Sequence, residues 1–165
     1  MKIERCSIAH AQALTSLFVE MEEYYFGAGC VSPREMLLYL RERVLSPDSG
    51  MRIIAARQAD TLVGFASFTL MHPGPRRTGQ AYMKELFVSH RARGLGAGRA
   101  LMRFIAEAAL AQGCSRLDWT AERSNPRAGT FYQSLGAALI EDKQYFRFEG
   151  DALQRFAAQT QALKA

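Results

Sequence analysis

The sequence feature that most restricts the fold is a junction at residues 81–112. An apolar run leads there through a glycine-rich segment into an amphipathic stretch. Residues 81–88 (AYMKELFV) are mostly apolar and bounded by polar residues, which predicts a buried central strand. Residues 93–99 (RGLGAGR) follow, and apolar side chains at helical spacing predict a helix over about residues 98–112, ended by Gly113. The sequence therefore predicts a strand, a glycine turn and a helix in succession.

Hydrophobic periodicity organises the rest of the chain into one domain over residues 1–165, with its core motifs at 81–137. Apolar residues at i, i+3, i+4 and i+7 predict a helix over residues 11–24, and Ser32-Pro33 predicts the capped start of a second helix over 33–45. Two strands at 51–56 and 62–68 flank Ala59-Asp60, as in a hairpin. Further strands are predicted at 3–8, 116–120, 137–140 and 144–148, and further helices from Asn125-Pro126 and from a cap at Asp151.

Composition disfavours several classes of protein. The three cysteines are odd in number and widely separated, which argues against a disulfide framework or a zinc site, so we expect no metal and a reducing, cytoplasmic location. There is no run of about 18 apolar residues, which argues against a membrane span. A net charge of +5 suits nucleic acid or a small polyanionic ligand. Because no helix-turn-helix or aromatic-basic strand motif is visible, we expect no nucleic-acid partner.

The glycine-rich segment is suited to binding an anion. Glycines leave the backbone N–H groups unshielded, and a helix N-terminus carries about half a positive elementary charge. Arg91, Arg93 and Arg99 can add ionic contacts. Such loops also end strands for purely structural reasons about as often. The segment matches neither the dinucleotide fingerprint G-x-G-x-x-G nor the P-loop, which disfavours those two classes of phosphate binder.

Two motifs in order resemble the Gcn5-related N-acetyltransferases. Residues 93–98 (RGLGAG) resemble the family signature Q/R-x-x-G-x-G/A, and residues 86–88 resemble the strand that precedes it. Residues 125–137 (NPRAGTFYQSLGA) resemble the downstream block, an Asn followed by a Phe-Tyr pair before Leu-Gly. The resemblance covers residues 51–148. It implies an α/β fold whose mixed, mostly antiparallel sheet splays at its central strands, with helices on both faces and acetyl-CoA as the acyl donor.

The same resemblance assigns a site for acetyl-CoA. The strand edge at Leu86 and Val88 would hydrogen-bond the pantetheine arm. Asn125 would bind the pantetheine or sugar-phosphate region, although its place before Pro126 also suits a helix N-cap. The pyrophosphate would bind the loop residues Arg93, Gly94, Gly96, Ala97, Gly98 and Arg99.

Acetyl transfer to a primary amine needs a base and an acid. An amine with a pKa near 10.4 costs about 4.6 kcal/mol to deprotonate at pH 7. Glu85 is the one carboxylate on the predicted central strand and is our candidate base, with a salt-bridged structural role as the alternative. Many similar enzymes carry an acidic pair there, whereas this chain has Lys84 beside Glu85, so a water chain is the other possibility, with help from Glu22, Glu23 or Asp118. By resemblance, Tyr132 would protonate the departing thiolate, while core packing on its helix is its alternative role.

The acceptor is expected to be a small cationic amine. Glu23 and Tyr24 fall where this family builds its acceptor pocket, and with Trp119 they would suit a cation. The pattern resembles diamine and polyamine acetyltransferases, while amino acids, aminoglycosides and protein amines stay possible. A non-catalytic acyl-CoA-binding regulator is the alternative function, motivated by Lys84. The resemblance also suggests a homodimer.

Overall fold

The structure, a computed structural model, describes residues 1–158. The described chain groups into two compact units, one ending at Asn125 and one beginning at Pro126. Up to residue 158, the first unit holds the sheet and three α-helices, and the second holds two short helices. The expectation of one domain over residues 1–165 stays a prediction.

The first unit is built on a five-stranded sheet whose order follows the chain. The first three pairings are antiparallel and the fourth is parallel, which confirms the expected mixed, mostly antiparallel α/β fold. The hairpin around Ala59-Asp60 forms as predicted, and Ala59 adopts a φ of 49° in its turn. The strands are β1 (Lys2–Arg5), β2 (Arg52–Gln58), β3 (Thr61–Met71), β4 (Gly79–Val88) and β5 (Cys114–Asp118).

Helices cover both faces of this sheet, as expected. α1 (Ala11–Phe26) and α2 (Pro33–Tyr39) pack on one face, where the Phe18 and Phe65 rings stack at 3.9 Å. α3 (Ala97–Ala111) packs on the other face, where Ala109 contacts Ala81. Since fully burying one such Phe contributes about 1.5–3 kcal/mol, the aromatic cluster is a main support of the sheet beneath α1.

Local sequence signals explain where α2 begins. The Glu35 amide donates to Ser32 Oγ at 3.2 Å, and the Glu35 carboxylate accepts from the Ser32 amide at 2.9 Å. This reciprocal capping box satisfies amide groups that the helix itself leaves unpaired, and Pro33 fits the first turn. The helix does not continue in α form to residue 45, because Leu40–Val44 form a π-helical turn.

The second unit corrects two expectations. Its helices are α4 (Pro126–Ser134) and α5 (Gly150–Ala157), but within the described chain residues 137–140 and 144–148 are not strands. Their β-branched and aromatic residues favour a strand only where a neighbouring strand supplies a ladder. Asp151 is not the cap of α5: Glu149 occupies the N-cap position, because the helix starts at Gly150. Stacked rings of Phe148 and Phe156, 4.6 Å apart, accompany that start.

Candidate active site

A bulge interrupts the pairing of β3 with β4. Ser67 lies opposite Glu85 and Phe68 lies opposite Met83, so Lys84 is an extra residue on β4. A bulge re-aims neighbouring side chains and increases the local twist. The Glu85 amide donates to Ser67 Oγ at 3.1 Å, which holds the carboxyl-terminal side of the bulge against β3.

The carboxyl-terminal half of β4 has an open edge. β5 pairs with Gly79–Tyr82 of β4 only, and no other strand of the described chain pairs beyond that point. The amides of Glu85 and Ser89 donate toward β3, to Ser67 Oγ and to the Val63 carbonyl. Because N–H groups alternate sides along a strand, those of Leu86 and Val88 face the open edge. The backbone N–H groups of these two residues are thus presented to a ligand that can pair like a strand.

The glycine loop lies immediately beyond this edge. Gly94 and Gly96 have φ values of 79° and 83°, a left-handed conformation that L side chains rarely adopt. A Cβ atom at either glycine would meet no atom within 4 Å, so the loop faces open space. Gly96 occupies the N-cap position of α3, and no side chain caps the helix there. Ala97, 2% exposed, anchors the first turn. This arrangement suits an anion at the amino end of α3.

A contact that the sequence did not reveal ties the loop to α1. One Glu20 carboxylate oxygen accepts from the His90 amide at 2.9 Å and contacts His90 Nδ1 at 2.8 Å. Partial burial alone would raise the pKa of Glu20, but hydrogen bonds from His90 and Ser89 outweigh it and lower that pKa. Glu20 is therefore an ionised anchor for the chain that leads into the glycine loop.

Arg93 is held between the strand edge and α1. Its Nε donates to the Val88 carbonyl at 3.2 Å, and its guanidinium carbon lies 5.5 Å from the centroid of the Tyr24 ring. These contacts fix the guanidinium beside the open edge of β4. Arg99 is exposed in the first turn of α3.

The Glu85 carboxylate at the bulge interacts with a cation on its own strand and with a phenol of α1. Glu85 Oε1 forms an ion pair of 2.6 Å with Lys84 Nζ, and the Glu85 side chain is 28% exposed. Tyr25 is 54% exposed, and its partial desolvation raises the pKa of the phenol, to which the charges of Glu85 and Glu122 add. Tyr25 was not singled out from the sequence. The last turn of α1 thus carries a phenol within electrostatic range of Glu85 on β4.

Comparisons with known proteins decide the family. Residues 13–137, most of the chain, match the Acetyltransferase (GNAT) family. The chain belongs to the GNAT family. This family uses acetyl-CoA as its acyl donor.

Individual proteins are similar to this chain over different lengths. A thialysine N-epsilon-acetyltransferase of Bos taurus is 35% identical over 79 residues, 46% of each chain. An L-ornithine N5-acetyltransferase of Arabidopsis thaliana is 29% identical over 93 residues, 56% of this chain and 41% of that protein. This chain thus spans about half of the length of such curated relatives. An integron cassette protein from the mobile metagenome of V. cholerae is 47% identical, with a TM-score of 0.92 over 96% of this chain and 98% of that one.

The structure gives other predicted GNAT site residues local partners of their own. The Glu23 carboxylate accepts from the Gly29 amide at 2.9 Å, which holds the loop after α1. Asp118 accepts from Gln80 at 2.6 Å and pairs with Arg116 at 3.1 Å, so its charge is already engaged within the sheet. Trp119 is half-buried directly after β5.

Asn125 and Tyr132 belong to different units. The Asn125 amide donates to the Glu122 carbonyl at 2.9 Å at the end of the first unit. Tyr132 lies on α4 in the second unit, half-buried, with its ring 5.2 Å from that of Phe131. The roles of both residues stay predictions.

The described chain shows neither a metal-binding cluster nor a membrane-spanning helix. Among residues 1–158, no group of three or more His, Cys, Asp or Glu side chains is arranged to hold a metal ion. None of the helices within those residues is long and apolar enough to cross a membrane.

Proposed function

We propose that this chain is an N-acetyltransferase that transfers the acetyl group of acetyl-CoA to a small primary amine. The observation that carries the proposal is the open edge of β4 at Leu86 and Val88, which leads directly into the left-handed glycine loop. The pantetheine arm contains amides that can pair with a strand edge, and its pyrophosphate needs backbone N–H donors. The donor groups present therefore fit acetyl-CoA, with Gly94, Gly96, Ala97 and Gly98 at the pyrophosphate and Arg93 and Arg99 beside it.

The acid and base of the proposed reaction are Tyr132 and Glu85. The amine nitrogen attacks the thioester carbonyl carbon, the carbon–sulfur bond breaks, and the products are an acetamide and CoA. Glu85 accepts the proton that the amine loses, directly or through a water, and Tyr132 donates a proton to the departing sulfur. Lys84 Nζ lies 2.6 Å from Glu85 Oε1, so this carboxylate already has an ion-pair partner. This ion pair also favours the alternative function, a non-catalytic acyl-CoA-binding regulator.

The acceptor we propose is an amine that carries a second charged group, as a diamine, a polyamine or a basic amino acid does. The similar proteins are named as thialysine and ornithine acetyltransferases, which supports a basic amino acid or a related amine as the acceptor. Further support comes from Tyr24, Tyr25 and Glu122, because aromatic faces and carboxylates attract an ammonium group. Glu23, Trp119 and Asn125 remain proposed contacts for substrate or cofactor.

Location and assembly complete the proposal. We place the protein in a reducing cytoplasm, since its three cysteines are all free thiols.

We also propose a homodimer. Leu139, Tyr145 and Phe146 of the second unit are 71%, 69% and 84% exposed, and such apolar side chains favour self-association. Light scattering at two protein concentrations tests the dimer, and a monomeric mass at both would contradict it.

The catalytic assignment is tested by following thiol release from acetyl-CoA in the wild type, Glu85→Gln and Tyr132→Phe. We expect kcat to fall by about 10²-fold or more in each variant, while acetyl-CoA still raises the melting temperature. Glu107→Gln is the control, because Glu107 is an exposed residue of α3. Unchanged kcat in Glu85→Gln would remove the assignment of the base. Acetyl-CoA binding without turnover of any amine by the wild type would favour the regulator.

A further inference from the structure

The face of the sheet beneath α3 contains a cavity that none of the predicted catalytic residues line. Its volume is about 450 Å³, within the range of sites that hold small molecules. It lies between β1, β2 and β3 on one side and the last turn of α3 on the other. The residues that line it include Arg5, Arg52, Ile54, Phe68, Ala108 and Ala111.

Strand register places apolar and cationic side chains on the same face. Arg5 of β1 lies opposite Ile54 of β2, and Arg52 of β2 lies opposite Phe68 of β3. Directly opposite residues project to the same side of a sheet, as do residues two apart on one strand. Ile54 and Phe68 are 1% and 2% exposed and form the apolar floor, while both arginines are exposed at the rim.

The space exists because the last turn of α3 turns small side chains toward the sheet. Ala108 and Ala111 line the cavity, whereas the large side chain of that turn, Leu110, is 73% exposed. A longer side chain at position 108 would occupy the volume that the alanine leaves. The cavity can therefore be filled by one substitution.

The positive charge at the rim is not neutralised within the described chain. In residues 1–158, no carboxylate lies within ion-pair distance of Arg5 or Arg52. Glu4, the neighbour of Arg5 on β1, pairs with Arg57 at 2.6 Å instead. The Arg5 guanidinium carbon lies 5.9 Å from the centroid of the Phe104 ring, a contact that positions the cation on the α3 side of the sheet.

We infer that this cavity binds a small organic anion, a carboxylate with a short apolar chain. The carboxylate would accept from the guanidinium groups of Arg5 and Arg52, and the chain would lie against Ile54 and Phe68. The site is separate from the proposed acetyl-CoA site. α3 has 15 residues, so Ala111 lies about 20 Å along the helix axis from the glycine loop at its other end.

The test is an NMR titration of the ¹⁵N-labelled protein with hexanoate, compared with neutral hexanamide. We expect saturable shifts at the backbone amides of Ile54 and Ala111 with hexanoate only. The dissociation constant should rise about tenfold in Arg52→Gln, since a charge-assisted hydrogen bond is lost. Arg103→Gln is the matched control, because Arg103 is an exposed arginine of α3 that pairs with Glu107. The affinity of this variant for hexanoate should equal that of the wild type.

Two further variants separate binding from folding. Ala108→Leu should abolish the hexanoate shifts by filling the cavity, and Arg5→Gln should weaken binding as Arg52→Gln does. Circular dichroism melting shows that each variant is folded before its titration is interpreted. Three results would each overturn the inference. These are equal binding of hexanamide and hexanoate, an unchanged affinity for hexanoate in Arg52→Gln, and no saturable shift with hexanoate at tens of millimolar.

Discussion

Replacing Gly96 by alanine separates the anion-binding role of the glycine loop from its role in folding. Gly96 has a φ of 83°, where an L residue costs about 1–2 kcal/mol. A Cβ atom there would meet no protein atom within 4 Å, so the cost in stability is torsional and no clash adds to it. For a chain of this size, a loss of about 1 kcal/mol lowers the melting temperature by about 2–4 °C.

The matched control is Gly113→Ala at the other end of α3. Gly113 has a φ of 72°, and its added Cβ atom would also meet no atom within 4 Å. Both variants should therefore lose similar stability in thermal unfolding. Only at Gly96 would the methyl group enter the space where we place the pyrophosphate.

Acetyl-CoA binding is measured for both variants by isothermal titration calorimetry. We expect Gly96→Ala to bind at least about tenfold more weakly than the wild type, a loss of about 1.4 kcal/mol in binding free energy. Gly113→Ala should bind as the wild type does. Equal affinity for the two variants would refute the placement of the pyrophosphate at this loop.

Two further predictions concern the anchor of the loop and the cysteines. Glu20→Gln should lower the free energy of unfolding by about 1 kcal/mol at pH 7, because it weakens the bonds from His90. The native state lowers the pKa of Glu20, so the unfolded state takes up its proton first as pH falls, and this stabilisation is lost in acid. Urea unfolding should show the difference shrink progressively as pH falls below about 4, and a difference that stays constant in acid would contradict it. With a thiol reagent at pH 8, only the exposed Cys30 should react fast. Burial raises the pKa of Cys6 to about 12, and Cys114 is buried, so both of these thiols should react slowly. More than one fast thiol, or a fast phase that remains in Cys30→Ser, would contradict this prediction.

Much of the fold could be predicted because it is encoded by local periodicity. α1 begins at Ala11 as predicted, and α3 begins at Ala97, one residue before the predicted start. The apolar run of β4 and the glycines that follow were both visible in the sequence, and they meet in the structure as expected. Patterns of this kind repeat within a few residues, so no tertiary information is needed to detect them.

Features that depend on tertiary contacts were not predictable. Glu20 and His90 are 70 residues apart in the chain, and no local pattern links them. The bulge at Lys84 arises from the register of β3 against β4, whereas strand alternation alone places Lys84 and Glu85 on opposite faces. The prediction of two strands between residues 137 and 148 was also wrong because of a tertiary effect. Strand propensity depends on the neighbouring partner strand, which local sequence does not show.

Acetyl transfer by this protein would be detected as an acetylated amine in mass spectrometry. The protein would be incubated with acetyl-CoA and one amine at a time: thialysine, ornithine, a diamine, a polyamine and an aminoglycoside. The account predicts that at least one basic amino acid, diamine or polyamine gains one acetyl group, with release of one CoA thiol per product. No acetylated product from any of these small amines, with a protein that binds acetyl-CoA, would contradict it.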